Sequence, residues 1–190
     1  EMVEAMDDGV GKIVAAINEH DLAEKTLVLF FSDNGANARG SNGKLRGHKG
    51  SVWEGGHRVP CIALWPGKIT AGSTTNALAI TLDVFPTLAQ LASAKTADDR
   101  AIDGVSLSPI LLEKRPLKRR QLFWAHGAGR AMRDGDWKLV VNAKGQPRPA
   151  LFNLANDLGE RSDLTDEHPE RLAAMLAALQ VWEKDVGPNE

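Results

Sequence analysis

Val3, Met6, Val10, Ile13, Val14 and Ile17 recur at steps of three and four, the spacing that gathers side chains on one face of an α-helix. The chain therefore opens on an amphipathic packing helix of about four turns, with Gly9 and Gly11 as its weak points. A polar stretch, Asn18 to Lys25, follows. Thr26-Leu27-Val28-Leu29-Phe30-Phe31 is then apolar without alternation, the pattern of a strand covered on both faces. A helix leading into a buried strand predicts α/β architecture. From Ser32 to His57 the chain is glycine-rich and has no apolar periodicity, an unusual length for a connection inside a compact domain and a mark of a working loop.

Val59 to Trp65 is a second short apolar run, closed by Pro66-Gly67, and Leu82 to Leu91 predicts a helix that holds Pro86 in its first turn. Beyond Gln121 the texture changes. Short runs at Leu122 to Trp124, Arg130 to Met132, Trp137 to Val141 and Leu151 to Leu154, separated by turn signals such as Asp134-Gly135, predict an antiparallel meander. A last helix starting near Pro169 sets Leu172, Met175, Leu176, Leu179 and Trp182 on one face, so it is expected to cover that sheet. There is no internal repeat and no low-complexity tract.

Composition narrows the class without choosing a function. A 190-residue chain with 43% hydrophobic and 25% charged residues and a net charge of -2 is an ordinary globular composition. The longest basic cluster, Lys114 to Arg120, has no interleaved aromatics and reads as a solvated loop, so nucleic acid is not an expected partner. No stretch reaches the roughly 18 apolar residues of a membrane span. Cys61 is the single cysteine, which excludes an internal disulfide and a cysteine-built zinc site. Its setting in an apolar run predicts a small buried side chain. The chain begins at Glu1 without a signal-peptide pattern, and is expected to enter partway through a larger protein.

Candidate chemistry starts at Ser32-Asp33-Asn34-Gly35, directly after the strand, where ligands collect in open α/β sheets. Asp33 offers a carboxylate and Asn34 an amide oxygen, hard donors suited to calcium or magnesium. Asn-Gly is also a hairpin-turn pair, so these residues alone leave a plain turn and a metal site both open. Within a dozen residues comes Leu45-Arg46-Gly47-His48-Lys49-Gly50-Ser51-Val52-Trp53-Glu54-Gly55-Gly56-His57-Arg58-Val59-Pro60. With Ser-Asp-Asn-Gly before it, this segment resembles the second half of a sulfatase, arylsulfatase-like and of the alkaline-phosphatase superfamily. The resemblance extends through Met6 to Gly11, Asp83 to Leu88, Asp103 to Leu107, Arg133 to Val140, Leu151 to Leu154 and Gly159-Glu160.

That resemblance implies the C-terminal part of an alkaline-phosphatase-like mixed sheet with flanking helices over residues 1–95. A small α+β domain with an antiparallel sheet and a closing helix would follow over 96–190. It implies a sulfuric ester hydrolase, with Asp33 and Asn34 ligating calcium, magnesium being the alternative, and Lys49 contacting the sulfate group. His48 and His57 flank the lysine and could serve as proton donors, and these two and His126 are further candidates for contact with substrate. Glu54, Gly55, Gly56 and Arg58 are expected to shape the loop, with Glu54 and Arg58 as a pair. A sulfated small molecule or polysaccharide would be the substrate, and export to the periplasm or a lysosomal location follows only by family analogy.

The resemblance also implies a nucleophile that this chain does not carry. Sulfatases of this type use a formylglycine made from the first residue of Cys-x-Pro-x-Arg or Ser-x-Pro-x-Arg. Cys61 is followed by Ile62-Ala63-Leu64-Trp65, and Ser108-Pro109-Ile110 has its proline one place too early. The formylglycine and the remaining metal ligands are expected in an N-terminal half, in cis or on a separate chain, and the 190-residue chain is expected to be inactive alone. The alternatives are a phosphodiesterase or phosphonate hydrolase of the same superfamily, and a non-catalytic binding or assembly module.

Overall fold

The computed structural model describes residues 1–96 and 101–187. In chain order the elements are helix α1 (Met2–Glu19), strand β1 (Val28–Phe31), the short helix α2 (Glu54–His57), strand β2 (Cys61–Leu64), helices α3 (Val84–Leu91) and α4 (Ser108–Leu112), strands β3 (Gln121–His126), β4 (Gly129–Asp134), β5 (Trp137–Val141) and β6 (Ala150–Asn153), and helix α5 (Pro169–Val186). Contacts gather these into two compact units, each built from two stretches of chain: residues 1–31 with 61–117, and residues 32–60 with 118–190. The long glycine-rich loop thus belongs with the C-terminal meander. The fold is mixed α/β with antiparallel sheets and a closing helix, as expected.

In the first unit β1 pairs antiparallel with β2, Val28 opposite Leu64 and Phe31 opposite Cys61. The expectation that β1 is covered on both faces is corrected here, because all four of its residues are only half-buried. The same holds for Cys61, which is exposed rather than buried. Among the described residues β2 has a single neighbouring strand, and of its own four residues only Ala63 is partly shielded. α1 forms over the periodic segment but buries none of its residues, and Ile13 is 60% exposed. Around α3 the chain is sewn by polar bonds. Asp83 accepts the amides of Ile80 and Val105, both at 2.9 Å, while the Thr87 hydroxyl donates to the Asp83 carbonyl at 2.6 Å and accepts the Leu107 amide at 2.8 Å. This accounts structurally for two of the motifs noted above, around Asp83 and around Gly104.

The second unit is a four-stranded antiparallel sheet in the order β3-β4-β5-β6. Side chains alternate across a strand, and the two faces bury different partners. On one face Met132, Leu139 and Leu151 pack with Met175 and Leu179 of α5, and Phe123 stacks on Trp182 at 5.2 Å. On the other, Ala131, Val140, Ala150 and Phe152 pack with Val52 and Trp53 of the glycine-rich loop. Each fully buried large side chain such as Phe152 or Leu139 contributes about 1.5–3 kcal/mol. The loop is therefore the second cover of the sheet, and this fixes where its polar residues lie.

Candidate active site

Asp33 and Asn34 lie just after β1, and the chain turns at Gly35 against the end of the loop. The Gly35 amide donates to the Gly56 carbonyl at 3.0 Å. A Cβ at residue 35 would sit 1.8 Å from the Gly55 carbonyl oxygen, so only glycine fits there. The following residues join the lysine segment. The Lys49 amide donates to the Ala36 carbonyl at 2.9 Å, and the Asn42 side chain accepts the Ala36 amide at 2.8 Å while donating to the Gly47 carbonyl at 3.1 Å. The loop closes on itself where the Gly55 amide meets the Arg46 carbonyl at 2.7 Å. The structure thus brings Lys49 to the segment that directly follows Asp33 and Asn34.

Asp33 and Lys49 are exposed and Asn34 half-buried. Among the described residues no hydrogen bond or ion pair engages the Asp33 carboxylate or the Asn34 amide, and no three His, Cys, Asp or Glu side chains cluster as a metal site. Two uncommitted hard oxygen donors on adjacent residues fit part of the oxygen shell of a divalent cation. The His48 Nδ1–H donates to the Lys49 carbonyl at 2.9 Å, which leaves Nε2 as the outward nitrogen. Gly50 has φ +82, and a Cβ there would come within 3.5 Å of His126 Nε2. The His126 imidazole therefore abuts the residue next to Lys49. His57 lies elsewhere: it is packed at 4.3 Å against Trp124 and turned toward a buried ionic cluster.

Lys138 is the centre of that cluster. By strand alternation it shares a face with Val140, toward the loop, and it is completely buried. Its ammonium lies 2.9 Å from Glu54 Oε1, 2.8 Å from Glu160 Oε1 and 3.2 Å from His57 Nε2. Arg58 and Arg133 reach Glu54 Oε2 at 3.3 and 3.4 Å. Glu160 Oε2 accepts the Glu54 amide at 2.8 Å, and the Glu160 carbonyl accepts Arg46 Nη1, also at 2.8 Å. Burial pushes the Glu54 carboxyl up, but Lys138, with Arg133 and His57, outweighs it and holds the group below its usual range. For Glu160 burial prevails over Lys138, and its carboxyl is raised. Burial, reinforced by Lys138, lowers His57 to about 4, so its imidazole is neutral and accepts from the ammonium.

Sequence reasoning paired Glu54 with Arg58 and missed Lys138 and Glu160. A lysine between Trp137 and Leu139 in an otherwise apolar strand was the available signal. An inward-facing lysine requires a buried carboxylate partner.

Known proteins similar to this chain point to one family. The sulfatase family model matches residues 1–94, and a second model, N-sulphoglucosamine sulphohydrolase, C-terminal, matches residues 48–183. Steryl-sulfatase of Mus musculus is 36% identical over 218 aligned residues, covering 93% of this chain and 35% of that protein. N-acetylgalactosamine-6-sulfatase of Homo sapiens is 40% identical over 227, covering 99% of this chain and 43% of that protein. The crystal structure of Ps i-CgsB superposes with a TM-score of 0.88 at 33% identity, covering 95% of this chain and 41% of that one. The chain thus spans about two fifths of the length of these proteins.

Proposed function

We propose that this chain, which belongs to the sulfatase family of sulfuric ester hydrolases, supplies part of a site for hydrolysis of a sulfate ester. In this reading Lys49 binds the sulfate group, and Asp33 and Asn34 hold a divalent cation, calcium. The observation that carries it is the set of backbone bonds, Lys49 to Ala36 and Gly35 to Gly56, joining the two segments.

Cleavage of the S–O bond spreads negative charge over the sulfate oxygens and the leaving oxygen. A fixed ammonium aimed at those oxygens lowers the barrier, and more so in a water-poor cleft. The bound cation would supply Lewis-acid stabilisation of the same charge. The outward nitrogen of His48, which directly precedes Lys49, and His126, which abuts Gly50 directly after it, are suited to hydrogen-bond the alcohol portion of the substrate, a sulfated small molecule or polysaccharide.

Residues 1–95 would be the trailing part of the catalytic α/β domain and 96–190 its C-terminal subdomain, a division by family distinct from the grouping by contact. The nucleophile, a formylglycine, would come from an N-terminal portion in cis or on a separate chain, and this chain alone would be inactive.

The test is an NMR titration of the 190-residue chain. Calcium is expected to shift the Asp33 and Asn34 resonances and inorganic sulfate those of Lys49, with the sulfate response lost in Lys49→Met. An aryl sulfate should not be turned over. Resonances at these three residues that ignore both ions would refute the assignment, and measurable turnover would refute the inactivity.

A further inference from the structure

Glu160 stands where the two stems of the Lys49 loop meet. Arg46 begins the arch that carries Lys49 and Glu54 ends it. Glu160 holds the first through its carbonyl, 2.8 Å from Arg46 Nη1, and the second through Oε2, 2.8 Å from the Glu54 amide. Both bonds come from one completely buried residue with φ +52, a left-handed conformation that side-chain-bearing residues adopt only when the surroundings impose it. Arg46 is fixed a second time by stacking over Trp53 at 3.6 Å, itself buried against Phe152 of the sheet.

We propose that Glu160 is a positioning residue for the site: it sets the arch that presents Lys49 beside Asp33 and Asn34, with Lys138 as the counter-ion that keeps it buried. A lysine on a flexible stem gains little from its own rotamers. Where its Cα is held decides whether its ammonium meets the sulfate oxygens, and a misplacement of about 1 Å can cost on the order of a hundredfold in rate. The reading of Lys49 as sulfate contact is assumed for that consequence only. The geometry of the arch is tested separately.

A merely structural cluster and a positioning one differ in where its loss is felt. Amide hydrogen exchange in the 190-residue chain reads this directly. In Glu160→Ala the Lys49 and Gly55 amides are expected to exchange at least about tenfold faster, while Leu139, on a central strand, keeps its protection. Glu160→Gln retains an acceptor for the Glu54 amide and should restore most of the protection. Arg46→Met, which releases the other stem, should reproduce the local loss, and it decides the matter if Glu160→Ala fails to fold. In a variant that still folds, unchanged Lys49 and Gly55 amides, or a uniform acceleration that includes Leu139, would overturn the proposal. Inorganic sulfate added to the same samples separates the two readings. A chain that loses arch protection in the variant but shows no sulfate response at Lys49 in the wild type upholds the positioning role and removes the substrate assignment.

Discussion

His57 shows how one buried charge governs its neighbours. Lys138 has only protons to donate, so the 3.2 Å contact makes His57 Nε2 an acceptor and puts the imidazole proton on Nδ1. Burial and Lys138 together hold the folded pKa at about 4, against about 6.5 in an unfolded chain. As pH falls below about 6.5 the unfolded chain takes up this proton and the folded one does not. The contribution of His57 is therefore complete above that pH and is lost on the way down to about 4. Between pH 7 and pH 5 that amounts to about 2 kcal/mol. Glu160, with its raised carboxyl, has the opposite sign and gains stability on acidification, so the wild-type slope is a sum. Comparing urea midpoints of wild type and His57→Gln at the two pH values isolates the histidine. The variant should lose less stability on acidification, and equal slopes would show that His57 is not the group responsible.

Gly35 makes the same point for elements that pack backbone on backbone. In Gly35→Ala the new methyl meets the Gly55 carbonyl oxygen at 1.8 Å, and the amide bond to Gly56 must break or the α2 turn must move. Overpacking of this kind costs about 1–3 kcal/mol or more. The variant should lose at least that in urea unfolding, together with any calcium response at Asp33, and a loss under about 0.5 kcal/mol would mean that the turn yields freely. Elements of this size were largely legible in the sequence. The heptad-like face of Leu172, Met175 and Leu179 gave α5 and its partner sheet, because helix periodicity and strand alternation report which side is buried. The segment from Ser32 to His57 was legible as a long glycine-rich loop, and its motif singled out Asp33, Asn34 and Lys49 as candidates. What periodicity does not encode is the partner of a polar residue. Glu54 meets Lys138 across 84 positions and Glu160 across 106, and no local pattern joins such distant residues. For β1 and Cys61, apolar composition implied burial, yet burial depends on the layers that cover a strand.

At the scale of the whole chain, burial is unevenly shared. Among the described residues every fully buried hydrophobic side chain belongs to residues 32–60 or 118–190. The other unit buries Asp83, Thr87 and Ser108 but leaves Ile62, Leu82 and Phe85 at 61%, 54% and 60% exposure. Apolar burial is the main favourable term in folding, and a two-stranded sheet without it is marginal. The two units should therefore not unfold as one. The four-stranded unit has both sheet faces covered and is expected to keep its β4 and β5 amides protected by at least about a hundredfold over those of β1 and β2. Limited proteolysis should cut first within residues 61–117 and leave the stretch from Lys118 onward intact. Among its described residues the first unit lacks the apolar partners its own pattern calls for. A single transition in which β1 and β5 amides exchange at the same rate would show that the first unit finds its stability without them.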